Sequence, residues 1–205
     1  KNNFKGKLIF VSGKKYKSVK KKIKNIYLKS KINDENMSFV YQVAKKFNIS
    51  NKSFIRSVNY FKGLEHRHEI FLKKKNITFI NDSKATNFEA TKHALIGNKN
   101  IYWILGGLPK KKDYFHLKNL KKAIVKAYVI GKNTSFFQKQ IQKYIPYTIS
   151  RTMKNAINNI YKDTNIRKNS KITVLLSPAA ASFDQFKNFK NRGIYFKNLI
   201  IKKFK

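Results

Sequence analysis

Short apolar runs alternate with stretches of helical periodicity along most of this chain. Ile70-Phe71-Leu72 and Ile77 to Ile80 come first and read as a hairpin or two adjacent strands. Ile101 to Leu105, Ala127 to Ile130 and Ile172 to Leu176 follow at wide intervals. Brief apolar runs bounded by glycine, asparagine or serine predict buried strands. Between them, Phe88, Thr91, Ala94 and Leu95 recur at helical spacing over 87–96, and further helices are expected at about 134–143 and 151–162. The chain closes on Phe183, Phe186 and Phe189, then Phe196, Leu199 and Ile200, which predicts one long amphipathic helix. Strands alternating with helices imply an α/β fold, a mostly parallel sheet with helices on both faces.

The first 62 residues follow another pattern. Leu8-Ile9-Phe10-Val11 reads as a short strand stopping at Ser12-Gly13, and Ile26-Tyr27-Leu28 forms a second small apolar cluster. Phe39, Val40, Val43, Ala44 and Phe47 then predict a helix with one apolar face, and Asn33 and Asn36 stand ahead of it as candidate caps. A shorter helix from Lys52 to Phe61 uses Phe54, Ile55 and Val58. Gly63 breaks it, so we place the domain boundary there: residues 1–62, then 63–205.

Composition narrows the function classes. Lys and Arg number 47 against 9 acids, a net charge of +38 over 205 residues. That charge suits a polyanion, and a basic nucleic-acid-binding α/β module is the alternative reading. However, the lysines are spread along the whole chain. Lys, Asn, Ile, Tyr and Phe, all abundant here, share A/T-rich codons, so biased base composition accounts for the charge without a specific nucleic-acid role. There is no cysteine, which excludes a disulfide framework and thiolate chemistry. No apolar run approaches the roughly 20 residues of a membrane span, and no signal-peptide pattern opens the chain. A cytosolic protein without a membrane partner is the expectation.

Candidate chemistry lies where the expected strands end. Ile77-Thr-Phe-Ile-Asn-Asp-Ser-Lys-Ala-Thr-Asn87 begins as a buried strand and ends in polar residues. Ligands of parallel sheets sit outside the carboxyl ends of the strands. Asp82 and Lys84, two apart, would share a face in extended chain; the competing reading is a helix cap beside a solvated lysine. Gly106-Gly107, Gly131 and Ser177-Pro178 end three other strands. Asp82, Lys84, Thr86, Lys110 and Ser182 are thus expected along one edge, with Ser182 capping the last helix and its free N–H groups facing an anion. His66-Arg67, in the connector after Gly63, is either an ordinary loop or a phosphate-binding pair.

Four blocks together resemble the Mur ligases, the amide-forming enzymes of peptidoglycan precursor synthesis. These are Gly63-Leu-Glu-His-Arg67, Phe79-Ile-Asn-Asp-Ser-Lys-Ala-Thr-Asn87, Leu105-Gly-Gly107 and Leu176-Ser-Pro-Ala-Ala-Ala-Ser-Phe-Asp-Gln-Phe-Lys-Asn-Phe-Lys-Asn-Arg-Gly193. The last is similar to the branch that joins D-glutamate to UDP-N-acetylmuramoyl-L-alanine. The resemblance implies a Rossmann-like carboxy-terminal domain at 63–205, preceded by the helical tail of a central ATPase domain. It also implies ATP and Mg2+, with the metal ligands mainly outside this chain, and an enzyme that is monomeric when full length. By resemblance, Asn33 and Asn36 lie near the adenine, His66 and Arg67 reach the ATP phosphates, and Asp82 lies near the ribose. Lys84 and Thr86 stand where nucleotide and D-glutamate meet; Lys110, Ser182, Phe183 and Phe189 complete the D-glutamate pocket. His66, Arg67 and Lys84 would be the catalytic set. The family's phosphate loop is missing from the sequence, which implies a fragment inactive alone, with an inactive ligase remnant as the other alternative. Three further departures are Glu65 for the proline before His-Arg, Leu108-Pro109 for Asp-Gly, and Ala180 for a cysteine.

Overall fold

The computed structural model describes residues 11, 13–29, 33–165 and 170–204. The strand expected at Leu8 to Val11 falls, but for Val11, outside them. The chain divides into two compact units, Lys1–Gly63 and Leu64–Lys205.

The described part of the first unit is helical: α1 (Gly13–Lys20), α2 (Ile26–Lys29), α3 (Asp34–Lys46) and α4 (Asn51–Tyr60). Tyr16, Val19, Ile23, Met37, Tyr41, Ala44, Phe54 and Val58 make its core. Ser50 caps α4 by accepting the Ser53 N–H, and Asn25 Nδ2 donates to the Val58 and Phe61 carbonyls at its other end. These bonds satisfy groups that a helix terminus leaves without partners. α3 departs from expectation. Its buried positions are Met37, Ser38, Tyr41 and Ala44, whereas Phe39, Val40, Val43 and Phe47 are exposed. The helix carries two adjacent apolar faces, and this unit covers only one of them. The Asn33 side chain makes no capping bond to α3, and Asn36 is exposed in its first turn.

The second unit is a six-stranded sheet. Its strands are β1 (Glu69–Lys74), β2 (Ile77–Asn81), β3 (Ile101–Gly106), β4 (Ile124–Ile130), β5 (Tyr147–Arg151) and β6 (Ile172–Leu176), in the order β1-β2-β6-β3-β4-β5. β1 and β2 form the expected antiparallel hairpin, and all other pairings are parallel. Alternate residues of each buried strand face opposite cores, as the pleat requires. Trp103, Leu105 and Val129 meet α5 (Phe88–Ile96) and α6 (Thr134–Ile141) on one side. Tyr102, Ile104 and Tyr128 meet α7 (Met153–Asn165) and α8 (Phe189–Lys203) on the other. The mostly parallel sheet with helices on both faces is therefore present.

Two features differ from the sequence expectation. β5 was not anticipated: it is an edge strand whose residues are mostly half-buried, so it lacks a continuous apolar run. α8 starts at Phe189 rather than Phe183, and Asn188 caps it by accepting the Asn191 N–H at 2.9 Å. Ser182 is not the cap; residues 182–188 form turns and bends before the helix.

β6 lies between β2 and β3 and leads to α8 on one face, while β2 leads to α5 on the other. Where neighbouring strand exits diverge to opposite faces, a crevice opens at the sheet edge. Gly106, at the exit of β3, has φ +124°, and a Cβ there would stand 2.0 Å from the Ile130 carbonyl oxygen. We expect Gly106→Ala to cost at least about 3 kcal/mol, from backbone strain and collision together. Gly97→Ala should cost less than about 1 kcal/mol, since its φ is −79° and its nearest neighbour would be His93 O at 3.4 Å. Urea denaturation of both variants checks this.

Candidate functional site

The exit of β2 turns sharply. Asp82 N–H still bonds Leu176 O at 2.7 Å, continuing the pairing with β6, but Ala85 N–H then closes a turn onto Asp82 O. Asp82 and Lys84 therefore do not share an extended face; they point to different partners. Asp82 Oδ2 accepts from the Ser177 hydroxyl at 2.7 Å and Oδ1 from His68 N–H at 3.0 Å. Burial pushes its carboxyl up to about 6, against the opposing pull of Ser177, the His68 N–H and Arg67. Lys84 holds its ammonium 4.2 Å above the centre of the Phe189 ring, and its N–H bonds His66 O. A cation over an aromatic face is attracted by the ring quadrupole. Thr86 is half-buried just ahead of Asn87, and Asn87 rather than Asp82 or Ser83 caps α5.

The His66-Arg67 pair is split. His66 is buried, in the left-handed region at φ +63°, with Nδ1 accepting from Asn81 Nδ2 at 2.8 Å. Burial lowers its affinity for a proton by more than Glu69 raises it, so the ring is neutral at pH 7. Gly193 is required here, because a Cβ would come within 2.3 Å of the His66 ring. Within this unit His66 is thus a packed residue, and Arg67 is the exposed partner. Glu65, the acid beside the pair, is largely exposed and lies 3.5 Å from Lys197 on α8. Lys197 bonds Glu69 more closely, at 2.8 Å; burial pushes the Glu69 carboxyl up, but Lys197 and the His66 N–H together hold it below its usual range.

The exits of β3 and β6 are joined. Leu108 and Ala181 pair in antiparallel fashion, each donating its N–H to the other's carbonyl at 2.9 Å. Leu108-Pro109 therefore leaves the path into Lys110 pinned to the segment that carries Ser182. Lys110 is exposed, Ser182 buried and Phe183 exposed. Ser182 O accepts the Gln185 and Phe186 N–H groups, which fold the segment back toward α8.

Arg192 was not assigned a role from sequence, and it is the largest charged side chain in the interior, only 1% exposed. Its Nε donates to Ser83 Oγ at 3.0 Å, and Nη2 donates to the carbonyls of Ser83 and Ala180 at 2.8 and 2.9 Å. Burial lowers its pKa to about 10, so it remains a cation at neutral pH. Ser83 in turn donates to Phe189 O at 2.8 Å. The signal in the sequence is the Arg-Gly pair following Asn191: a glycine inside a helix marks a close approach there.

The crevice thus gathers the segments carrying Asp82, Lys84, Thr86, Lys110, Ser182, Phe183 and Phe189. Asn33 and Asn36 belong to the first unit. Farther along the same edge an open cleft of about 460 Å³ is lined by Gly131, which the sequence marks as a strand end, and by Lys132, Thr134, Arg151, Thr152 and Gln185, to which it assigns no role. Among the described residues no three His, Cys, Asp or Glu side chains gather to hold a metal ion.

Asp82 gives a signed pH prediction. Because its folded pKa is raised, the fold disfavours the ionised form, and the penalty is complete above pH 6 and relieved as pH falls toward 4. Asp82→Asn should stabilise the protein by about 1–3 kcal/mol at pH 7.5 and by almost nothing at pH 4. Chemical denaturation at both values measures it; a difference independent of pH contradicts the assignment.

No family model matches the chain. Curated relatives do. It is 38% identical over 164 residues to the UDP-N-acetylmuramoylalanine–D-glutamate ligase of Wolbachia sp. subsp. Brugia malayi, covering 80% of this chain and 33% of the relative. It is 40% identical over 164 residues to the enzyme of that name from Rhizobium meliloti, covering 80% and 35%. The chain spans about a third of the length of these relatives. Among solved structures, MurF from Acinetobacter baumannii superposes with a TM-score of 0.60 at 12% identity, over 85% of this chain and 38% of that one, which is a likeness of fold. Over about 80% of its length the chain is thus similar in sequence to UDP-N-acetylmuramoylalanine–D-glutamate ligases, and in fold to MurF.

Proposed function

We propose that residues 63–205 supply the D-glutamate site, and part of the nucleotide site, of a UDP-N-acetylmuramoyl-L-alanine–D-glutamate ligase. Residues 1–62 would be the tail of its central ATPase domain. The exposed stripe of Phe39, Val40, Val43 and Phe47 on α3 supports that reading, since such a face suits burial by further domain structure. In the proposed reaction ATP phosphorylates the alanyl carboxylate, the amine of D-glutamate attacks the acyl phosphate, and phosphate leaves through a tetrahedral intermediate. Activation is needed because a carboxylate is a poor acyl donor.

The observation that carries the reading is the convergence of the β2, β3 and β6 exits, held together by the Ser177–Asp82, Arg192 and Leu108–Ala181 bonds. D-Glutamate has two carboxylates, which require cations and N–H donors at both ends. Lys84 and Lys110 supply the cations, and the Ser182-Phe183 segment supplies a hydroxyl and backbone donors. Phe189 fixes Lys84 by the ring contact, and in this reading the Lys84 charge would serve the acyl phosphate and the amine. Arg67 and Asp82 would address the phosphates and ribose of ATP. His66, buried and neutral, would act by holding Asn81 and the turn to Lys84. Among the described residues no group of His, Cys, Asp or Glu side chains gathers to hold Mg2+.

Calorimetric titration of the 205-residue chain with D- and L-glutamate tests the pocket. Saturable binding that favours the D enantiomer is expected. Lys110→Ala and Ser182→Ala should each weaken it at least about 10-fold, which is ~1.4 kcal/mol per variant. Equal affinity in both variants would remove Lys110 and Ser182 from the pocket.

A further inference from the structure

We propose that Arg192 is the positioning residue of the crevice: its guanidinium sets the spacing between the β2 and β6 exits, and so between Lys84 and Ser182. The inference rests on the proposed D-glutamate pocket for its functional meaning, and on bonds within the fold for its mechanism.

The guanidinium connects segments far apart in the chain. Ser83, 109 residues away, receives two of its bonds, and Ala180, in the segment ahead of α8, receives another. Through Ser83 Oγ the linkage continues to Phe189 O, at the start of the same helix. Lys84, the next residue, rests on the Phe189 ring, and Ser182 lies two residues beyond Ala180. Gly107 lies beside it: its φ of +136° and the 2.3 Å at which a Cβ would meet Ala181 O require glycine, and the same Cβ would stand 3.3 Å from Arg192 Nη1.

A buried cation is a costly filling for this space. Desolvation opposes it, and apolar residues of similar volume often serve stability as well or better. What the guanidinium supplies is geometry: a planar fork reaches one hydroxyl and two carbonyls at fixed angles. Lysine has a single nitrogen on a flexible stem and cannot hold all three. No carboxylate is hydrogen-bonded to Arg192 among the contacts described, and Asp184 acts on it only through space, so its bonds go to bridging backbone segments.

Amide hydrogen exchange on the full chain, read by nuclear magnetic resonance, tests the inference in Arg192→Lys and in the milder Ser83→Ala. The reporters are Lys84 N–H, bonded to His66 O, and Ala181 N–H, bonded to Leu108 O. We expect both to exchange at least 10-fold faster in each variant, while amides of β3 and β6 keep their wild-type protection. A merely structural loss would accelerate the core amides equally. Unchanged exchange at Lys84 and Ala181, or equal acceleration throughout the sheet, overturns the inference. If Arg192→Lys does not fold, Ser83→Ala decides alone by the same criteria. The same samples titrated with D-glutamate should bind at least 10-fold more weakly for Arg192→Lys. Absence of D-glutamate binding to the wild-type chain would count against the pocket, while the exchange result would still decide the role of Arg192.

Discussion

The placement of β6 is the constraint from which the site follows. β6 bonds to β2 on one side and β3 on the other, and no other strand among the described residues joins those two. Without it the sheet would be a hairpin and a separate three-stranded piece. All five of its residues are buried, as a strand covered on both faces must be. Its insertion also brings Ser177 to Asp82, 95 residues away in sequence, at 2.7 Å. The strand that closes the core is thus the one that delivers the second wall of the crevice. Stability and site geometry have a common origin in one long-range pairing.

The polar interior at that edge carries a cost that the apolar cores must offset. Asp82 is held at a raised pKa, and Arg192 is a cation out of water. Shifted groups gathered in a crevice are a signature of functional sites, though structural networks produce them too. Here the two roles divide by residue. Arg192, Ser83 and Ser177 spend their bonds on the fold itself. Lys110, Arg67 and Phe183 are exposed at the same rim and free to meet a ligand by position.

The parts of the fold most legible in the sequence were those with a continuous apolar run or a regular apolar face. β3 and β6 read as continuous apolar runs, and the Phe88, Thr91, Ala94, Leu95 pattern matched the buried face of α5 residue for residue. β5 was missed because an edge strand beginning Tyr147-Thr148 needs little apolar content. α3 was misoriented because periodicity locates an apolar face without saying which face the unit covers. The cap of α8 was misplaced for a related reason: Ser182 and Asn188 are both good capping residues, and only tertiary structure selects Asn188. Strand ends were correctly aligned on one edge, since parallel topology requires it. The turn that separates Asp82 from Lys84, and the buried Arg192, depend on contacts about a hundred residues away in sequence, beyond local pattern.

The central claim is that the edge formed by β2, β6 and β3 is where this chain meets an anionic amino-acid substrate. A crystal structure of the chain grown with D-glutamate tests it most directly. The account predicts density for the ligand between the Lys84, Lys110 and Ser182-Phe183 segments. Density instead in the cleft of Lys132, Arg151 and Gln185, with the crevice unchanged, would contradict it.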